Sequence, residues 1–421
     1  MDNPPGRAYT LRMSTTSAAP VPVRFLDRST PPHIVTLVLL SGLSALAMNI
    51  FLPSLPNMTA WFATDYRLMQ LSVSAYLLMN AVLQLFIGPI SDRFGRRPVI
   101  LIAIAVFLLA TVGTLLAPTV ELFLAFRMLQ ASVVAALVLS RAAVRDMVDE
   151  AQAASMIGYV TMGMAVVPLI GPVIGGVLDE AFGWQASFLF LLACGVGVFW
   201  LTWADLGETA GARPASFRAQ LAEYPELLTA RRFWGYCAAA ALSSGAFFAY
   251  LGGAPFVGAQ VFGLSPAWLG LYFGVPALGY ALGNFLSGRF SVRVGVNRMV
   301  LWGTVVNAVG LCSLMALDLV GVMTAELFFG FFIFVGIGNG MSLPNATAGM
   351  LSVRPHLAGT ASGLGGAMMI GGGAAAAALA GVLLVPGSGP MPLLAICAVT
   401  ALGAVGAIHY VIARERALRG G

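Results

Sequence analysis

The apolar residues of this chain come in unbroken runs, separated by short polar turns and lacking the alternation of strands or the narrow stripe of a soluble helix. A bilayer's hydrocarbon takes about 20 helical residues to cross, and run after run meets that length. Spans are expected at about 33–56, 69–90, 98–117, 120–144, 154–182 and 187–206. A polar connection over 207–232 follows, and six more spans lie at about 233–258, 268–290, 298–317, 326–353, 358–385 and 391–413. The pattern predicts an all-α integral membrane protein of 12 transmembrane helices in two pseudo-symmetric six-helix bundles, 33–206 and 233–413. Residues 1–32, rich in Pro, Ser, Thr and Arg and lacking the apolar core of a signal peptide, read as a flexible cytoplasmic tail, and 414–421 as a second tail.

The two halves echo each other. Gly88, Ser91, Arg93 and Gly95 recur as Gly288, Ser291, Arg293 and Gly295, all at an offset of 200, and Glu121-Leu-Phe returns as Glu326-Leu-Phe. A charged glycine-containing turn between two apolar helices, present twice, marks a duplicated bundle.

Composition sharpens this reading. With 59% hydrophobic and 9% charged residues and a mean hydropathy of +0.89, the chain lacks the charge that a water-covered surface needs. Its net charge of +5 comes from arginines between hydrophobic runs, a sign of topology and not of nucleic acid. Arg93, Arg96, Arg97, Arg289, Arg293, Arg298, Arg354, Arg414, Arg416 and Arg419 all fall in alternate loops or at the chain end, with Arg67 the exception. Both termini and the central loop are therefore expected in the cytoplasm. The four cysteines sit singly within apolar runs, and the three histidines share no ligand spacing. No metal, cofactor or catalytic constellation is expected.

Three further stretches carry candidate chemistry. Gly88-Pro-Ile-Ser-Asp-Arg-Phe-Gly-Arg-Arg97 places Asp92 among Arg93, Arg96 and Arg97, with Gly88 and Gly95 permitting close approach and a tight turn. Such a cluster either latches two helices in one conformation or only fixes topology. Pro168, Gly171, Pro172, Gly175 and Gly176 recur near one helical turn, giving a kinked helix that packs closely. Arg127 lies inside a span, where a charge costs several kcal/mol unless it faces a polar cavity; the alternative is that it snorkels to the outer headgroups. Counting residues from the span ends puts Asn49 and Arg127 both about 10 Å below the outer surface, able to share a water-filled cavity. Asn80, Gln84, Gln130, Tyr250, Tyr272, Asn339 and Asn345 are the other cavity candidates, each equally able to serve as interhelical glue. The small-residue run 363–378 reads as span 11, packed closely against its neighbours.

These stretches resemble the major facilitator superfamily: 88–97 its loop motif, Arg127-Met-Leu-Gln130 its intramembrane-arginine motif, and 168–176 the motif of its antiporters. Leu46-Ala-Met-Asn-Ile-Phe-Leu-Pro-Ser-Leu-Pro56, Arg145-Asp146 and Glu208-Thr209 are similar to the bicyclomycin-resistance (Bcr/CflA) branch of drug:proton antiporters. The resemblance implies a monomeric multi-pass exporter of the bacterial inner membrane that works by alternating access. It would move small, largely apolar molecules, with protons as the coupling partner. It also implies that the bend in span 5 seals the interface between the halves. One departure matters: the branch carries an aspartate where Asn49 stands, and Asn49 does not titrate. The alternative is an exporter or facilitator of one neutral or anionic metabolite without proton antiport.

Overall fold

The structure, a computed structural model, describes residues 23–148, 150–210 and 225–419. Among them are twelve helices long and apolar enough to cross a membrane. They are α1 (Ile34–Trp61), α2 (Tyr66–Phe94), α3 (Arg96–Leu116), α4 (Val120–Met147), α5 (Met156–Phe182) and α6 (Gln185–Asp205). The second set is α7 (Arg231–Val261), α8 (Pro266–Val294), α9 (Val296–Leu319), α10 (Ala325–Val353), α11 (Gly359–Leu383) and α12 (Met391–Ala417). Large side chains such as Leu109, Leu116, Phe182, Phe285 and Val309 stand on the outside of the bundle, where acyl chains would meet them.

The repeat seen in the sequence is a repeat in geometry. The α2–α3 turn closes with Gly95 N–H on Ser91 O and the α8–α9 turn with Gly295 N–H on Ser291 O, both at 2.9 Å. Gly95 has φ 95° and ψ 150°, and Gly295 φ 89° and ψ 151°. A positive φ in that region is open chiefly to glycine, so both helices stop and restart there. Likewise Thr119 caps α4 by accepting from Leu122 N–H, and Thr324 caps α10 by accepting from Leu327 N–H. Because twelve spans return the chain to its starting side, both described chain ends lie on one face of the bundle, called here the termini face.

Within the first half, α1 packs on α4, α5 and α6, and α3 on α4 and α6; within the second, α10 packs on α8 and α9, and α7 on α12. The halves meet along two seams, α2 against α11 and α5 against α8. The small-residue run explains the first: Gly371 lies against Ala81 of α2, and Gly372 against Ala241 of α7.

Three boundaries differ from the sequence expectation. α1 continues past 56, but its α-helical backbone breaks after Asn49 and passes through a 3₁₀ turn at Leu52–Ser54, because Pro53 and Pro56 cannot donate to the ladder. The tail segment 23–33 is bound to the bundle. The buried Asp205 carboxylate at the end of α6 accepts from Leu26 N–H (2.7 Å), His33 N–H (2.9 Å) and the Thr36 hydroxyl (2.6 Å). A buried carboxylate requires such donors, and the segment supplies them. The central loop is shorter than 207–232, since α7 begins at Arg231 and a helical turn occupies 225–229. Residues 1–22 and 211–224, also assigned to tail and loop, lie outside the described residues.

Candidate functional site

Arg127 is fully buried, and its partners are two backbone carbonyls, one side-chain amide and two rings. Nη2 donates to Ala47 O of α1 at 2.8 Å, Nε to Ser72 O of α2 at 3.2 Å, and Nη1 to Gln130 Oε1 at 2.6 Å. The guanidinium lies between two aromatic faces, 4.2 Å from the Phe51 centroid and 3.9 Å from that of Tyr76. Gln130 donates onward to Thr111 of α3 at 2.9 Å. Arg127 and Gln130 thus tie together four helices of the first half. The break in α1 makes this possible, because beyond Asn49 the ladder no longer claims every carbonyl of the preceding turn.

Asn49 sits two residues from each of the α1 contacts of Arg127, Ala47 and Phe51, and its Nδ2 donates back to Ala45 O of its own helix at 2.7 Å. Both residues are closed off from solvent in this conformation. That differs from the shared water-filled cavity expected from residue counting, and packing is the reason: Phe51 and Tyr76 cover the arginine, and Gly171 of α5 brings that helix against Asn49 Cβ. Asn80, on α2 one turn from Tyr76, is buried and its Oδ1 makes no hydrogen bond.

The candidates of the second half are not gathered around Arg127. Tyr250 is fully buried among Phe273, Phe329 and Phe332, the last ring 4.2 Å away. Asn339 accepts from Ser243 of α7 at 2.8 Å, and Asn345 donates to Ser287 of α8 at 2.8 Å. Tyr272 stacks on Phe329, and Gln84 faces Gly366 of α11 along the first seam.

The charged turn is a network internal to the first half. Arg96 bridges two acids, Asp92 Oδ1 at 2.5 Å and Asp146 Oδ2 of α4 at 3.1 Å, and also donates to the Ser91 hydroxyl. Glu208, just after α6, accepts from Arg96 N–H at 2.8 Å and Arg97 N–H at 3.2 Å, closing the start of α3. Arg97 donates to the carbonyls of Leu206 (2.7 Å) and Trp203 (3.0 Å), while Arg93 lies over the Phe94 ring. Gly88 has open space where a Cβ would stand, as do Gly359 and Gly363 of α11 near the same face.

On the opposite, distal face the halves are pinned together. Tyr66 Oη donates to Gly252 O of α7 at 2.8 Å, and Gln70 Nε2 to Ala377 O of α11 at 2.6 Å. Glu180 of α5 accepts from the Ser265 hydroxyl and Ala267 N–H at the start of α8. Below it the span-5 motif does its packing: a Cβ on Gly176 would strike Pro266 O, one on Gly270 of α8 would strike Pro172 O, and one on Gly175 would strike Ile50 O at the α1 break. Tyr66, Gln70 and Glu180 were missed in the sequence because polar residues at span ends look like ordinary loop edges. Gln70, buried beside the apolar run of α2, was the legible hint.

The Major Facilitator Superfamily profile matches residues 37–364 and 254–420. The chain is 31% identical over 370 residues to Multidrug resistance protein D of Escherichia coli (strain K12), covering 86% of this chain and 91% of that one. It is 30% identical to a Chloramphenicol resistance protein of Pseudomonas aeruginosa (79% and 81% covered). It is 29% identical to a Bicyclomycin resistance protein homolog of Haemophilus influenzae (81% and 87% covered). A crystal structure of a bacterial homologue of the human lysosomal transporter Spinster, inward-facing and occupied, superposes with a TM-score of 0.66 at 17% identity, covering 90% of this chain and 94% of that one. The chain belongs to the major facilitator superfamily of membrane transporters, on its bicyclomycin-resistance (Bcr/CflA) branch.

Proposed function

We propose that this transporter exports small, largely apolar molecules by rocking its two six-helix halves about the seams between α2 and α11 and between α5 and α8. The observation that carries the reading is the unequal distribution of contacts between the halves. Among the described residues, the hydrogen bonds that Tyr66, Gln70 and Glu180 make between the halves lie at the distal face. Halves fastened to each other at the distal face fit one endpoint of an alternating-access cycle. With the termini in the cytoplasm, as the arginine distribution supports, it is the endpoint that loads from within. Relatives named for multidrug, chloramphenicol and bicyclomycin resistance support efflux of drug-like substrates.

Proton antiport is the coupling we propose, with Arg96, Asp92 and Asp146 as the latch that remakes itself during the cycle. The test is substrate flux in proteoliposomes with and without an imposed pH gradient; flux indifferent to the gradient rejects antiport. A second reading, uncoupled export of a neutral or anionic metabolite, draws support from Asn49 and from an Arg127 whose partners are all uncharged. Loss of that metabolite from the medium of cells lacking the protein, without a change in drug sensitivity, selects it.

A further inference from the structure

The two matched turns differ in what surrounds them. At Gly95 the chain supplies its own anion, Glu208, whose carboxylate fills the space a Cβ would take and caps α3. At Gly295 the backbone is the same, but α9 starts with no side-chain cap and the Cβ position is open. The corresponding acid, Glu415 in the last turns of α12, is engaged with side chains: it pairs with Arg232 and accepts from Asn297 Nδ2 (2.6 Å) and Tyr236 Oη (3.2 Å), so it does not cap the α9 amides. Beside this turn is a cavity of about 740 Å³ on the termini face, whose walls include Asn297, Arg298, Trp302 and Arg416 together with the mutually paired Arg232 and Glu415. Among the described residues neither Arg298 nor Arg416 has an ion pair or hydrogen bond. Trp302 is half exposed and stands one helical turn beyond Arg298 on the same face of α9.

We infer that this cavity binds the headgroup of an anionic phospholipid, its phosphate between Arg298 and Arg416 at the start of α9. Two unpaired guanidiniums and the free amides of a helix start match a phosphate in charge and donor geometry. An exposed indole one turn deeper is the side chain that favours the level just below the headgroups, so the glycerol and acyl chains leave past Trp302 into the bilayer. Basic pockets between spans at a membrane surface recognise lipid headgroups in this way. In the first half Glu208 makes the same provision from within the chain, so the inference concerns the second half alone.

The test uses the full-length protein in mild detergent, with bound lipid counted by native mass spectrometry and thermal unfolding followed in parallel. Phosphatidylglycerol should be retained and raise the Tm, and phosphatidylcholine of the same acyl chains should do neither. Arg298→Gln with Arg416→Gln should weaken phosphatidylglycerol retention about thirty-fold, the worth of two arginines beside an anionic lipid. Arg293→Gln, on the same turn but outside the cavity, should leave it unchanged. Arg416→Glu should raise the lipid-free Tm by supplying an internal anion, and should abolish the response to phosphatidylglycerol, which keeps the test intact if the double variant does not fold. Equal retention of both lipids, an equal loss in Arg293→Gln, or unchanged affinity in the double variant overturns the inference. So does inorganic phosphate that stabilises as strongly as phosphatidylglycerol, which would assign the cavity to a soluble anion.

Discussion

Glu180 of one half caps a helix of the other: its Oε2 accepts from the Ser265 hydroxyl at 2.9 Å and from Ala267 N–H at 3.2 Å, at the start of α8. Opening the distal face breaks both bonds at once. Glu180→Gln weakens the acceptor and Glu180→Ala removes it, so both should shift the equilibrium toward distal opening. The shift should be about 1 kcal/mol, or roughly five-fold, given the exposure of the pair. Spin labels at Trp61 and Val261, exposed residues on opposite halves, measure the distance; an unchanged distribution in Glu180→Ala assigns the contact to helix capping alone.

Gly176 and Gly270 let α5 and α8 touch backbone to backbone. Gly176→Val should impose a clash with Pro266 and Ala267 worth about 1–3 kcal/mol against the closed distal face. Transport should fall sharply while the protein still inserts and purifies. A thiol reagent applied from the distal side should then reach a cysteine placed at Asn49. Failure to reach it would show that the two halves close by another route.

Arg127→Ala should abolish transport and lower thermal stability, since the Ala47 and Ser72 carbonyls, Gln130 and two ring faces all lose their partner. Arg127→Lys should retain part of both, because an ammonium cannot serve three directions in one plane. Asn49→Asp should let cationic compounds be exported, in a pH-dependent manner, as a carboxylate in a partly desolvated site can titrate near neutrality. Drug efflux at two pH values checks this. Strongly pH-dependent cation export by the native protein would mean that another group carries the proton.

Asp92 and Asp146 share one arginine, Arg96. Asp92→Asn and Asp146→Asn should each slow transport with expression preserved. The double variant should be little worse than either alone, because residues of one network are non-additive. Additive losses would show two independent roles, and undiminished rates would reduce the cluster to topology.

Single cysteines at Ala210 and Thr64 should label from opposite sides of the membrane, Ala210 from the cytoplasm. Labelling from the same side is incompatible with the arrangement of spans described above.

The spans and the duplication were legible because both are written in side chains: apolar length, and Gly, Ser and Arg at a fixed offset. Arg127 stood out for the same reason. Its partners did not, since Ala47 and Ser72 contribute carbonyls that any residue carries, and only the chain break after Asn49 frees one of them. Residue counting set Arg127 and Asn49 at one depth but carried no information on the rings of Phe51 and Tyr76 that close over the arginine. Asp146 and Glu208 were visible only as echoes of relatives, because their partner Arg96 is 50 and 112 residues away. Segment 23–33 looked like loose tail because its binding depends on one acid, Asp205, at the far end of the half.

Each half is fastened by an acid late in its sequence, Glu208 just after α6 and Glu415 in the last turns of α12. Synthesis proceeds from the amino end, so these acids set the order of assembly. The first half has its fastening as soon as residue 208 leaves the ribosome, with half the protein still unmade. The second half must wait for Glu415, in the last turns of α12. Until then, α7 and α9 lack the carboxylate that joins Arg232, Tyr236 and Asn297. A stop codon at position 415 would therefore leave an intact first half bearing an unfastened second one.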